Sequence, residues 1–355
     1  MKKTTILHAG PLPPPIGGMS IYIKSLEKFQ SEHYELSFFD TTAKKEDQIA
    51  KLLFNLTFLI RFIFCLLAQK PKVAHIHTAG YRSFQRSQWM LRCTRLLNIK
   101  CIMHIHSGKF IDFYSESPAQ KQASIKKTLH ELDQVVVLSQ SWKKIFMDTF
   151  ELADNRVEVV PNAIFIDQFK ECRSTSKYET DTKQILFIGS LNKGKGINDL
   201  IELAKSLQED KSIKFLVAGD GPLRGEIETQ TNQHQLNIEL LGQVSGERKQ
   251  QIFKKANVFL LPSYFEAMPI SIIEAMASGM TILSTTVGSI PDMVHEGQGG
   301  YLFSPGKVEE MRRTVQHLDL EEIKRMGQYN LEEAAHYDFD QLNRNLEQLY
   351  ASILK

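Results

Sequence analysis

Short apolar runs alternate with longer segments of helical period along the whole chain, the pattern of a parallel sheet covered by helices on both faces. In the first half, Thr5–His8, Val73–His77, Cys101–Ile105, Val135–Leu138 and Val157–Val160 predict strands. Helices are predicted between them, such as Met19–Phe29 after a glycine pair and Ser139–Thr149 after the fourth run. In the second half, Gln184–Ile188, Lys214–Ala218, Ile238–Leu240, Val258–Leu261 and Thr281–Ser284 predict strands. Ile197–Leu207, Ser245–Lys255 and Pro269–Ser278 predict helices between those. The expected class is α/β, with two Rossmann-like doubly wound domains in tandem, residues 1–165 and 166–338. The linker is expected at Pro161-Asn162-Ala163-Ile164 and through the polar stretch Lys170–Lys183, which has few large apolar residues to bury. At the C-terminus, apolar residues at 339, 342, 346, 349, 350, 353 and 354 predict an amphipathic helix with one face to dock.

Leu52–Ala68 breaks this pattern, being apolar at 14 of 17 positions with Asn55, Thr57 and Arg61 as interruptions. Seventeen residues sit at the lower limit for a bilayer core of roughly 30 Å, and a central arginine is costly there, so a spanning helix is not expected. Two readings remain. One is a helix packed on the first sheet. The other is a helix partly exposed at a membrane surface, aided by Lys44, Lys45, Lys51, Lys70 and Lys72.

The length of 355 residues is too great for one compact core, and 42% hydrophobic against 24% charged excludes a disordered chain. A net charge of +2 argues against a nucleic-acid binder. The charge is unevenly divided. Residues 1–165 carry 22 Lys/Arg and 14 Asp/Glu, and residues 166–355 carry 21 and 27, so the two halves are expected to do different work. Cys65, Cys93, Cys101 and Cys172 have no zinc spacing and read as reduced thiols of a cytosolic protein. The first residues carry too short an apolar run for a signal peptide, so secretion is not expected.

Ligands of open parallel sheets bind at the carboxyl ends of strands, and four features fall at such ends. The turn Gly10–Gly18 ends in Gly17-Gly18 before a helix, so it is either an anion-approach loop or a plain Pro/Gly turn. His-Ile-His occurs twice, at His75/His77 and His104/His106. Each pair shares one face of its strand and reads as a buried hydrogen-bonded couple or part of a metal site. His106 precedes Ser107-Gly108 and is the better candidate for a group facing a reacting ligand. Ile188–Ile197 is a strand, a glycine-rich loop with Lys193 and Lys195, and a helix start, which suits a diphosphate although the P-loop ending is missing. Finally, Glu266 and Glu274 stand eight apart across a strand-to-helix turn that contains Pro269. The apolar run around Glu274 implies a mostly buried carboxylate, which requires a ligand or a partner.

The last two features, joined by Val217–Pro222, resemble the retaining glycosyltransferase family 4 with the GT-B fold. The glutamate pair matches the family's E-x7-E motif, and the match runs on through Ala275–Gly279 and Gly288–Asp292. Gly17-Gly18, Leu138-Ser139 and Val159–Asn162 resemble landmarks of its first domain. The resemblance implies two domains facing across a cleft, with the C-terminal helix, residues 339–355, crossing back to the first. It implies a nucleotide-diphosphate sugar as substrate, with Glu274 on the ribose and Glu266 beside the sugar. Backbone amides of Ala267, Met268, Pro269 and Ile270 are expected near sugar and phosphate as far as each carries one, since proline does not. Lys195 is expected on the diphosphate, Gly17 and Gly18 closing on it, the base near Gln243 and Val244, and His106 by the sugar. No metal and no cofactor is implied. The only Asp-x-Asp, Asp338-Phe339-Asp340, reads as a helix cap. Three departures stand out: Ser190 where many members carry arginine, Ala267 beside Glu266, and Ala163 after Asn162. The missing arginine leaves Lys195 alone on the diphosphate, or calls on Lys193 or Arg224.

The basic first domain adds an expected acceptor, a lipid-linked saccharide on an anionic membrane surface. The whole reading is a hexosyl- or N-acetylhexosaminyltransferase, with a UDP-sugar as expected donor, of bacterial O-antigen, capsule or exopolysaccharide assembly, peripheral on the inner face of the cell membrane. A nucleotide-sugar epimerase of the same shape, or a non-catalytic nucleotide-sugar-binding partner, are the alternatives.

Overall fold

The computed structural model describes residues 2–14, 17–42 and 48–355, apart from the side chains of residues 48–53, 55 and 56. Expectations resting on Pro15 and Ile16 in the first turn, on Lys44 and Lys45, and on the side chains of Lys51, Leu52, Leu53, Asn55 and Leu56 lie outside the described residues. The chain divides into two compact units, Met1–Asn162 with Asp340–Lys355, and Ala163–Phe339.

The first unit holds a parallel sheet of β1 (Thr4–Gly10), β2 (Tyr34–Asp40), β3 (Val73–Thr78), β4 (Lys100–Ile105), β5 (Gln134–Val137) and β6 (Val157–Val159). Its order is β2-β1-β3-β4-β5-β6. The connecting helices are α1 (Gly18–Ser25), α2 (Gln48–Gln69), α3 (Arg82–Leu96), α4 (Phe110–Ser115), α5 (Ala119–Glu131) and α6 (Gln140–Phe150). Every residue of β3 and β5 is buried, as expected of inner strands covered on both faces. Ser139 caps α6 by accepting the Trp142 amide, which fixes where that helix leaves β5.

In α2, Phe58, Phe62 and Leu66 recur at four-residue spacing and join Phe39 and Phe84 in the first core. The opposite face leaves Ile60, Ile63, Phe64 and Leu67 exposed, Phe64 at 72%. One face therefore packs on the domain as the first reading expected, and the other remains apolar and uncovered. No helix among the described residues is long and apolar enough to cross a membrane.

The second unit holds β7 (Lys183–Ile188), β8 (Ile213–Ala218), β9 (Ile238–Gly242), β10 (Val258–Leu261), β11 (Thr281–Thr285) and β12 (Gly300–Phe303), all parallel, in the order β12-β11-β10-β7-β8-β9. Its helices are α7 (Ile197–Ser206), α8 (Arg224–His234), α9 (Gly246–Lys255), α10 (Ile270–Ala277), α11 (Ile290–Met293), α12 (Val308–His317) and α13 (Leu320–Glu333). Chain direction across the sheet reverses between β7 and β10, the dinucleotide-binding order with its ligand crevice at that point.

The last helix, α14 (Phe339–Leu354), buries Leu342, Leu346, Leu349 and Tyr350. Asp338 Oδ1 accepts the amides of Phe339 (2.7 Å) and Ile166 (3.4 Å), not those of the second or third residue of α14 that a helix cap would take.

Two expectations change. β2 and β12 are strands the apolar pattern does not single out; in YELSFFD the apolar residues are interleaved with Glu35, Ser37 and Asp40, and GYLF offers three apolar residues after a glycine pair. The stretch Lys170–Lys183 is no free linker. It forms two short 3-10 turns, Ile166–Cys172 and Thr175–Tyr178, which bury Phe169, Cys172 and Lys177. The Lys177 ammonium is accepted by the carbonyls of Phe253 (2.9 Å) and Ser278 (2.8 Å), so a residue read as polar surface instead anchors the segment.

Candidate functional site

At the switch point of the second sheet, the loop after β7 meets the loop after β10. Gly196 has φ +71°, and a Cβ there would lie 1.9 Å from the Pro262 carbonyl oxygen, so only glycine lets the two loops approach. The Tyr264 amide donates to the Gly194 carbonyl at 2.9 Å. From β11, Ser284 Oγ donates to the Leu261 carbonyl (2.7 Å) and Thr285 Oγ1 to that of Ser263 (2.6 Å). The Ser289 amide donates to the Ala267 carbonyl at 2.8 Å. The loop carrying Glu266 is thus held from both sides by backbone bonds and small hydroxyls.

This frame brings the expected cation and carboxylate together. Lys195 Nζ lies 2.6 Å from Glu266 Oε1, and Ser263 Oγ donates to the same oxygen at 2.7 Å. Asn192 caps the 3-10 turn at Lys193–Lys195 by accepting the Lys195 amide at 3.1 Å, which sets where that side chain leaves the loop. Pro269 precedes α10, and no described side chain caps the helix; the Ile272 amide donates to the Pro269 carbonyl at 3.1 Å, which leaves the amides of Ile270 and Ser271 and the helix dipole for an anion. Ala267 and Ile270 are half-buried, Met268 and Pro269 buried.

Glu274 lies within α10 and has a partner that the sequence required without identifying. Lys249 Nζ of α9 sits 2.6 Å from Glu274 Oε1. Burial pushes the Glu274 carboxyl up, and Lys249 pulls it back toward the charged form. The second sheet therefore carries two lysine–carboxylate pairs at its carboxyl end, each at least partly shielded from water.

Other expected donor residues are placed less tightly. Ser190 is exposed, and its Oγ accepts from Asn192 Nδ2 at 3.1 Å. Gln243 is exposed and Val244 half-buried, just beyond β9. Arg224 lies beside Gly242 and is paired with Glu228 at 2.9 Å, whereas Lys193 is exposed. In the first unit, Gly17 and Gly18 have open space where a Cβ would stand, and Gly17 has an extended φ of −162°. Among the described residues of this unit, nothing demands glycine at either position. The Gly17 amide donates to Ser20 Oγ at 2.9 Å, which starts α1.

The histidines of β3 and β4 join one cluster, with His8 of β1 as a fifth member that the doubled motif did not reveal. His8, His75, His77 and His104 are buried, and His106 is half-buried. His8 Nδ1 meets His77 Nε2 at 2.9 Å, and His77 Nδ1 meets His106 Nε2 at 3.0 Å. Tyr350 Oη of α14 meets His8 Nε2 at 2.9 Å and His75 Nδ1 at 3.2 Å. Burial presses His8 and His106 down to about 3, and holds His75, His77 and His104 well below the usual range, so the rings are neutral. His75, His77 and His104 bring ring nitrogens within 4.8 Å of one another. However, both His77 nitrogens are already bonded, and its ring stacks on His75 at 4.7 Å and 9°. Parallel rings do not converge their lone pairs, and this arrangement is a hydrogen-bonded stack.

Two family profiles match the chain in order, Glycosyltransferase Family 4 over residues 16–168 and Glycosyl transferases group 1 over residues 168–332. The gpi3 subunit of phosphatidylinositol N-acetylglucosaminyltransferase from Schizosaccharomyces pombe is 26% identical over 235 residues, 65% of this chain and 50% of that one. The chain spans about half the length of the curated relatives it matches. Among solved structures, Anabaena HepE in complex with UDP superposes with a TM-score of 0.75 at 14% identity, over 98% of this chain and 100% of the other. The lipopolysaccharide outer core galactosyltransferase WaaB gives 0.74 at 17% identity, over 98% and 99%. Two six-stranded parallel sheets and two consecutive profiles that together reach from residue 16 to residue 332 lead to one assignment: the chain belongs to the GT-B glycosyltransferases.

Proposed function

We propose that the chain is a retaining, metal-independent glycosyltransferase, moving a hexose or N-acetylhexosamine from a nucleotide-diphosphate sugar, a UDP-sugar first among them. The acceptor in this reading is a lipid-linked saccharide at the inner face of a bacterial membrane, in surface-polysaccharide assembly. The observation that carries the donor assignment is the Lys195–Glu266 pair at the switch point, beside the uncapped start of α10. UDP bound to HepE and the lipopolysaccharide role in the name of WaaB support the choice of donor and pathway. The phosphatidylinositol acceptor in the name of the S. pombe relative and the uncovered apolar face of α2 support a membrane acceptor.

As the anomeric C–O bond breaks, negative charge gathers on the departing diphosphate. Lys195 and the first-turn amides of α10 are fixed beforehand and lower the barrier by stabilising that charge without reorganising. Donor phosphate draws Lys195 partly from Glu266, which frees the carboxylate to accept from sugar hydroxyls. Glu274 accepts from the ribose hydroxyls, kept ionised by Lys249. The acceptor oxygen attacks the face that the diphosphate leaves, and its proton passes to a diphosphate oxygen. His106 positions the sugar and forms no covalent intermediate.

The test is turnover of a UDP-sugar panel by the full chain, with and without lipid-linked saccharides. Transfer only when both substrates are present is expected, with Glu266→Ala and His106→Ala each lowering kcat at least tenfold. Conversion of the donor to another sugar without acceptor would identify an epimerase. Donor binding without turnover by any acceptor would leave a non-catalytic binder.

A further inference from the structure

The histidine stack contains a continuous path from α14 to the carboxyl edge of the first sheet. Tyr350 Oη, His8 Nε2 and Nδ1, His77 Nε2 and Nδ1, and His106 Nε2 follow one another at 2.9, 2.9 and 3.0 Å. A neutral imidazole donates from one nitrogen and accepts at the other, so fixing one end of such a path fixes every tautomer along it. The rings between the ends, His8 and His77, are buried, which shields their nitrogens from bulk water.

His75 decides the sense. Its Nδ1 faces Tyr350 Oη at 3.2 Å, while its buried Nε2 has no partner among the described residues. Were Tyr350 to donate to His75, Nε2 would carry an unpartnered buried N–H, the costlier orphan. With the proton on His75 Nδ1, Nε2 retains only a lone pair, and His75 donates to Tyr350 Oη. The tyrosine hydroxyl proton then goes to His8 Nε2. His8 Nδ1–H donates to His77 Nε2, and His77 Nδ1–H donates to His106 Nε2. His106 is left with its proton on Nδ1. Neutrality of all these rings leaves each hydrogen bond with one proton to place.

We propose that Tyr350, His8 and His77 form a one-way hydrogen-bond wire that fixes His106 in its Nδ1–H tautomer, so that the first sheet offers a hydrogen-bond donor at that ring. Tyr350, His8, His77 and His75 are positioning residues, acting through His106. The wire itself stands on the geometry of the first unit. Its value to sugar transfer rests on the role given to His106 above, where an Nδ1 donor matches a hydroxyl oxygen that must accept.

Long-range 1H–15N correlation on the full chain with 15N-labelled histidine reads the tautomers directly. His8, His75, His77 and His106 are each expected as pure Nδ1–H, with Nε2 at the shift of an unprotonated nitrogen. Tyr350→Phe removes the hydroxyl alone, and His106 is then expected to gain a substantial Nε2–H fraction. Wild-type His106 found as Nε2–H or as an even mixture overturns the proposal with no variant needed. A His106 tautomer unmoved in Tyr350→Phe also overturns it, and His8→Gln, which cuts the wire at its middle, repeats the test should the first variant fold poorly. A shifted tautomer with unchanged transfer rate sustains the wire and removes His106 from the proposed reaction. A lowered kcat at constant KM alongside the shift supports both.

Discussion

Glu274 lies in an apolar helix with only 14% of its side chain exposed, and Lys249 is the cation that offsets its burial. Removing that cation leaves a carboxylate with a raised pKa and no countercharge. Lys249→Met is expected to destabilise the chain by about 1–3 kcal/mol, less than for a fully buried pair because both groups retain some contact with water. Denaturant unfolding measures this, and Lys249→Met/Glu274→Gln should recover part of the loss. Glu274→Gln alone should weaken nucleotide-sugar binding about 10- to 100-fold by calorimetry, the value of one or two charge-assisted hydrogen bonds. Lys177 gives a pH signature of the opposite origin. Burial lowers its ammonium to about 7 from an ordinary 10.5, so between these values the unfolded chain binds the extra proton. Its contribution to stability therefore rises with pH from about 7 to about 10.5 and is smallest below 7. Lys177→Met should flatten that rise in unfolding free energy against pH, at a cost at every pH from the two carbonyls left without a donor. At this scale the sequence discloses the need but not the partner. The apolar neighbours of Glu274 demand a cation, yet Lys249 stands 25 positions earlier, on a different helix. His8 is likewise a lone histidine until β1 pairs with β3 and sets it beside His75.

Among the elements, loops crossing the carboxyl end of the second sheet are positioned by close backbone approach. Gly196→Ala forces a Cβ against the Pro262 carbonyl at a positive φ, so the two loops must separate. A loss of about 2 kcal/mol or more in stability is expected from combined strain and displacement. Because Lys195 adjoins that glycine, donor affinity should fall further than in a variant of equal stability elsewhere, such as one in α12. Differential scanning calorimetry with and without UDP separates the two effects. Ten of the twelve strands are legible as apolar runs, the eight inner ones because strands covered by helices on both faces are apolar almost throughout. β2 and β12 escape although the other two edges, β6 and β9, do not: YELSFFD is broken by Glu35, Ser37 and Asp40, and GYLF is a three-residue apolar run behind a glycine pair. The glutamate turn, the lysine loop and the helix after them are legible together, since strand end, glycine and helix start are local chemistry. The packed course of Lys170–Lys183 is not, because Lys177 is held by carbonyls of Phe253 and Ser278, distant in sequence, and its charge reads as surface.

Across the whole molecule, net positive charge and exposed large apolar side chains both concentrate in the first unit. No Asp or Glu occurs between residues 48 and 111, a stretch with ten Lys/Arg that contains α2 and α3. Ile60, Ile63, Phe64 and Leu67 of α2 lie uncovered on that background. Four clustered large apolar side chains are unfavourable in water, whereas an interfacial helix gains about 25 cal/mol for each Å2 of that face it buries. In the proposed membrane docking, the cations would select anionic lipids, contributing about 1 kcal/mol per Lys or Arg near the surface and losing it as salt screens them. The two contributions separate experimentally. Phe64→Asp with Ile60→Asp should abolish sedimentation with vesicles of any composition, while donor binding in the second unit stays unchanged. Lys70→Glu with Lys72→Glu should leave weak binding to neutral vesicles intact but remove the preference for anionic ones, and flatten the salt dependence. Equal binding by all three proteins would mean that the α2 face serves some purpose other than membrane docking, and the acceptor would then have to be sought among soluble saccharides.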